Sequence, residues 1–105
     1  MVKAAVTEVR LGQKVISRRG RDAGSTFLIV GLLNEDYVLV ADGRKRGMER
    51  PKKKNRKHLA LTLQADAAIA EKLATGAPVS DEEIVDAIQR LGENQKEGEV
   101  NFGER

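Results

Sequence analysis

Residues 12–33 read GQKVISRRGRDAGSTFLIVGLL, and the fold turns on how this stretch divides. Gln13 to Arg18 carries Val15 and Ile16 between polar neighbours, which reads as a short strand. Thr26 to Leu33, TFLIVGLL, is rich in strand formers and too short for a stable lone helix. Between them lies RRGRDAGS, Arg18 to Ser25, in which Gly20 and Gly24 frame three residues. Its glycines make it a turn. The stretch is therefore strand, turn, strand, and three arginines crowd the turn. Gly31 interrupts the second strand, the mark of a bulge or a barrel bend.

Working outward, residues 1–11 give no clear signal. Asn34-Glu35-Asp36 is a polar turn, and Tyr37 to Ala41, YVLVA, is a third strand. Asp42-Gly43 is a hairpin dipeptide. Residues 44–50 read as a fourth strand, ended by Pro51, which has no N–H to donate. The basic run Lys52 to Lys57 reads as a solvated loop, and His58 to Thr62, HLALT, as a fifth strand. The expected class is mainly β: short strands and turn signals that suit a small sheet curled into a barrel. TFLIVGLL and YVLVA are apolar on both faces, so one face can fill the barrel and the other needs a cover.

The C-terminal half offers helices whose apolar stripes suit either that cover or the docking of a protein. Asp66 to Thr75 carries alanines with Ile69 and Leu73 four apart, and Gly76 with Pro78 makes a stop. Ser80-Asp81-Glu82-Glu83 matches a capping box, with Val79 and Ile84 at the staple positions. Ile84, Ile88 and Leu91 form an apolar stripe, and Gly92 is the expected end. The expected division is a lead-in over 1–10, a barrel over 11–63, an acidic helical pair over 64–92 and a polar, disordered tail over 93–105.

Composition narrows the function. The chain has 105 residues, no cysteine and a formal net charge of +3. Thiolate chemistry and cysteine metal sites are excluded. The first 63 residues hold fifteen Lys/Arg against six Asp/Glu, a balance of +9, whereas the rest hold four against ten, a balance of −6. The basic half should be drawn to a polyanion. The start, MVKAAVTEVR, lacks the apolar region of a signal peptide, and no apolar run approaches the roughly 20 residues of a membrane span. The reading is a soluble cytoplasmic protein with no membrane partner.

No catalytic constellation is present. His58 is the sole histidine and sits among cations, which disfavours metal. Glu35-Asp36 is explained by turn chemistry, and Asp81, Glu82 and Glu83 by the helix dipole. Gly20 and Gly24 have three residues between them, not the four of a P-loop, and Ser25 stands where its lysine would be. No GxGxxG fingerprint occurs. The chain reads as a binding protein, not an enzyme, with no cofactor, metal or small-molecule substrate.

Four basic clusters remain: Arg18-Arg19 with Arg21, Arg44-Lys45-Arg46, Arg50 with Lys52-Lys53-Lys54, and Arg56-Lys57 followed by His58. Any one alone reads as a solvated face. Four, all at turns or loops of one small sheet, can converge and focus a positive potential on phosphates. Single-strand binders stack bases on several exposed rings. Here only Phe27, Tyr37 and Phe102 are aromatic, and the first two read as core. The expected partner is a structured RNA contacted through phosphates and sugars.

Residues 12–24, GQKVISRRGRDAG, followed by Phe27-Leu28-Ile29-Val30, resemble a KOW motif: a G-x-x-V strand, a Gly-basic-Asp-x-Gly turn and an apolar strand. YVLVADG over 37–43 and RPKKKNRKHL over 50–59 extend the likeness to the KOW-type proteins of the archaeal and eukaryotic large ribosomal subunit, and to the short bacterial KOW proteins related to them. It covers about residues 11–63. The resemblance implies an SH3-like barrel that binds RNA, usually ribosomal RNA. It places Gly20, Arg21, Asp22 and Gly24 in the motif's turn. Position 23, often lysine there, is Ala23, and Arg18 and Arg19 are expected to compensate. Asp22 is expected to bond turn N–H groups. The expected RNA-binding set is Arg18, Arg19, Gly20, Arg21, Gly24, Arg44, Lys45, Arg46, Lys52, Lys53, Lys54, Arg56, Lys57 and His58. The alternative is an adaptor or an elongation-type KOW factor bound to RNA polymerase or nascent RNA.

Overall fold

The computed structural model describes the backbone of residues 8–102 and the side chains of residues 8–92. Most of the expected lead-in, 1–7, lies outside the described residues. The elements run β1 (Gln13–Ser17), β2 (Thr26–Leu32), β3 (Tyr37–Ala41), β4 (Lys52–Asn55), a 3-10 turn over Arg56–His58, β5 (Leu59–Ala65), α1 (Ala67–Thr75) and α2 (Asp81–Phe102). All ladders are antiparallel, in the order β4-β3-β2-β1-β5. This is the mainly β, SH3-like barrel with a C-terminal helix pair, although no ladder joins edge strands β4 and β5 among the described residues.

The period-2 alternation of β2 builds two cores from one strand. Phe27 and Ile29 point inward with Val15, Val38, Val40 and Leu59, filling the barrel. Leu28 and Val30 point the other way, under Ile69, Ile84, Ala87 and Leu91 of the helices. The ladder with β3 slips between Ile29 and Gly31, the bulge that Gly31 announces. A second irregularity separates Gln13 from Val15 in the ladder with β5. Buried Gln13 serves it: its amide donates to the Thr62 carbonyl at 2.8 Å and its oxygen accepts from Arg10 N–H at 3.0 Å.

The helices are capped as their sequences indicate. Asp66 accepts from Ile69 N–H at 3.0 Å and starts α1, and Gly76 ends it. Ser80 and Glu83 complete the capping box at 3.1 and 2.8 Å. Glu83 also pairs with Lys72 of α1, and Arg90 of α2 reaches Asp66 at 3.1 Å, so two ion pairs tie the helices together.

Three expectations change. Residues 44–50 form no strand. Asp42 Oδ1 accepts from the N–H groups of both Arg44 and Arg46, at 2.9 Å each, and folds the chain into a turn instead. The run Lys52 to Lys57 is not a solvated loop: Lys52 to Asn55 pair with β3 as β4, and the remainder is the 3-10 turn. Helix α2 passes through Gly92 and Gly98 to Phe102, because each interior glycine costs only about 1 kcal/mol. Residues 93–102, expected to be disordered, are therefore helical in backbone, while 103–105 lie outside the described residues.

Ile84 is fully buried between sheet and helices. Ile84→Ala is expected to cost about 2–5 kcal/mol in urea unfolding, against roughly 0.5 kcal/mol or less for Leu63→Ala, whose side chain is exposed. Equal midpoints for the two variants would contradict helix packing on β2.

Candidate nucleic-acid interface

The turn between β1 and β2 is closed by its own backbone. Gly24 N–H donates to Ser17 O at 2.8 Å, and Ser17 N–H to Ser25 O at 2.9 Å. Gly20 and Gly24 hold φ of 88° and 91°, a region that side chains disfavour. A Cβ on Gly24 would meet no atom within 4 Å, so this corner of the turn is open to an approaching backbone.

Asp22 does not bond turn N–H groups as expected. Its carboxylate takes Lys52 Nζ at 2.8 Å, Lys54 Nζ at 3.0 Å and the Ser17 hydroxyl at 2.7 Å. Lys54 also donates to Arg19 O at 2.9 Å and is only 6% exposed. The alternation of β4 explains this: Lys53 faces out, so Lys54 must face in, where a buried ammonium needs a carboxylate. Lys54 thus ties the edge strand to the glycine turn and is not presented to solvent.

Apart from Lys53, the remaining candidates form three groups. Arg21, Lys45, Arg46 and Lys52 surround a cavity of about 320 Å³, together with Asp22, Ser25, Phe27 and Asp42. Arg44 is exposed on the same arm. Sequence reasoning missed Ser25 and Asp42 as part of this basin. Arg18, Arg19 and Gly20 are exposed on the turn, and Arg18 N–H donates to His58 O at 2.8 Å, bringing the half-buried His58 beside it. Arg56 and Lys57 sit on the 3-10 turn that crosses from β4 to β5. Arg56 N–H donates to Asp36 O at 2.8 Å and its guanidinium to Glu35 O at 3.2 Å. Lys53 stands apart, its ammonium 4.6 Å from the centre of the Tyr37 ring. Phe27 is core, whereas Tyr37 is only half-buried beneath that lysine.

Fold and site together define a small β-barrel with a cationic basin beside a glycine turn. No family model matches the chain. It is similar to "Putative ribosome-binding protein YbzG" of Bacillus subtilis, 45% identical over 51 residues, which cover 49% of this chain and 69% of the relative. It is also similar to large ribosomal subunit protein eL14 of Desulfurococcus amylolyticus, 35% identical over 86 residues, covering 82% of this chain and 79% of the relative. The eL14 of Aeropyrum pernix is 27% identical over 84 residues, covering 80% and 77%. The chain belongs to the ribosomal protein family that includes these relatives.

Burial pushes the Asp22 carboxyl upward, but the Lys52 ammonium, the Ser17 hydroxyl and the Lys54 ammonium outweigh it and hold it well below the usual range. A depressed folded pKa gives stability that is complete above the unfolded value, near 3.8, and is lost as pH falls through it toward the folded value. Asp22→Asn should lower the unfolding free energy at about pH 7 by about 3 kcal/mol, since Lys54 keeps a buried charge without its counter-ion. The gap between wild type and variant should narrow steadily below about pH 4, as denaturant midpoints would show.

Proposed function

We propose that this protein is a ribosome-associated, non-enzymatic RNA-binding protein that contacts large-subunit ribosomal RNA, with residues 20–24 acting as a KOW turn. One observation carries the reading: the turn, the 42–46 arm and the start of β4 bring Arg21, Lys45, Arg46 and Lys52 around one basin. Two carboxylates share its wall. Asp22 is neutralised by Lys52 and Lys54, and Asp42 is turned onto backbone N–H groups. The basin keeps a surplus of positive charge, the condition for phosphate contact. The names of the ribosome-binding and large-subunit relatives support the same partner.

The open corner at Gly24 lets an RNA backbone approach the turn closely, where Arg18, Arg19 and Arg21 are exposed. Arg56, Lys57 and His58 extend the contact along the β4–β5 crossing. Specificity follows from the shape of the folded RNA rather than from base edges. A cytoplasmic location accompanies a ribosomal partner. Among the described residues, no helix is long and apolar enough to cross a membrane.

In-cell crosslinking and sequencing of the bound RNA tests the assignment. Reads concentrated at one position of large-subunit rRNA are expected, and reads spread over nascent transcripts would replace the ribosome with transcription. In vitro, neutralising about five phosphates gives a slope of log affinity against log salt of roughly −4. Arg21→Glu with Lys45→Glu should flatten that slope by roughly two and weaken binding more than tenfold. A flat wild-type salt response would falsify the RNA reading.

A further inference from the structure

Among the described residues, one carboxylate of the acidic helix bonds the backbone of the basic arm. Asp81 opens α2, and its Oδ1 accepts from Met48 N–H at 2.7 Å, where the arm leaves for β4. The two glycines that flank the arm's cations are packed on the same helical turn. A Cβ on Gly47 would stand 2.9 Å from Asp81 Oδ2, and one on Gly43 2.5 Å from Asp81 O and 2.8 Å from Val85 Cγ2. The arm's entry is fixed separately, by Asp42 accepting from Arg44 and Arg46 N–H and by Asp42 and Gly43 N–H donating to Arg46 O at 3.0 and 3.1 Å. Arg44, Lys45 and Arg46 are exposed between these anchors, so the anchors set where their charges stand.

We propose that Asp81 is a positioning residue for RNA binding: an anion that raises affinity for a polyanion, because it holds the exit of the Arg44-Lys45-Arg46 arm. The inference rests on the RNA-binding reading above. Its signature is a sign. By charge alone Asp81 repels phosphate, and removing it should tighten binding modestly, within the screening of about 0.1 M salt. By position, removing its acceptor releases Met48 N–H and lets the arm sample other shapes. If the arranged arm is then populated about one-fifth of the time, affinity falls about fivefold.

Two variants with the same charge change separate these effects. Asp81→Asn loses the charge and keeps an acceptor oxygen for Met48, whereas Asp81→Ala loses both. Binding of the full-length variants to purified large-subunit rRNA is measured well below each thermal midpoint, together with hydrogen exchange at the Met48 amide. Asp81→Asn is expected to match or exceed wild type, as is the control Glu82→Gln, an exposed neighbour. Asp81→Ala should bind about fivefold more weakly, with faster exchange at Met48. Gly47→Ala leaves the charge unaltered, crowds the Asp81 carboxylate and should weaken binding in the same direction. Equal affinities for Asp81→Asn and Asp81→Ala, whether raised or lowered, overturn the inference while the RNA reading stands. Wild-type protein that binds rRNA no better than the Arg21→Glu, Lys45→Glu variant overturns the RNA reading and the inference with it.

Discussion

A single carboxylate holds the barrel's loose edge. Among the described residues strand β4 pairs only with β3, so nothing in the ladder pattern keeps it against the start of β2. Asp22 does so, through Lys52 and Lys54 on one side and Ser17 on the other. The stoichiometry matters as much as the contact. One carboxylate between two ammoniums leaves a positive remainder, and Lys52, at 29% side-chain exposure, carries it to the basin. A one-to-one pair would have closed the edge and left the basin with less positive charge. Two lysines on one acid close the edge and add to the positive charge of Arg21, Lys45 and Arg46.

The same economy governs β2, which serves two cores at once. Phe27 and Ile29 fill the barrel, while Leu28 and Val30 lie under α1 and α2. A strand that is apolar on both faces cannot leave one in water without exposing a fully buried leucine. The helices are therefore part of the sheet's core. The arm that carries Arg44 to Arg46 lies between β3 and β4, with Met48 packed into the helical core, so the basic surface and the helices share one foundation.

Much of this was legible from short-range chemistry. The β-branched runs around Val15, Phe27 and Val38 locate β1 to β3, Gly31 locates the bulge, and Ser80 with Glu83 locates the start of α2. These signals act within a few residues. The failures are long-range or competitive. Lys52 to Asn55 has no apolar alternation, and its strand is specified by the free edge of β3 and by a carboxylate 30 residues upstream of Lys52. Residues 44–50 carry no visible veto on a strand until Asp42 is seen to capture two N–H groups. Asp81, part of an acidic run suited to a helix N-terminus, is diverted to Met48, a contact across 33 residues that no local pattern announces. Of the candidate site, the cations were visible in the sequence. Which of them point outward was decided by the pairing of β4, and there Lys54 turned inside.

A formal charge of +3 understates how differently the two halves look to a polyanion. In the helices, Lys72 pairs with Glu83 and Arg90 with Asp66, so both of these cations face helix acids. On the barrel, the ion pairs go to Lys52 and Lys54, while Arg18, Arg19, Arg21, Arg44, Lys45, Arg46 and Lys57 are exposed. In the helical half these cations are paired and acids stay in excess, whereas the barrel concentrates positive charge at turns. Field at a surface depends on where unneutralised charges stand and how well water screens them, not on their sum. Two acids near the basic arm are held by backbone donors: Asp42 by Arg44 and Arg46, Asp81 by Met48. An acid bound to the backbone of a basic loop gives that loop its shape, and a shaped loop delivers its cations to phosphate without the ordering cost of a free one.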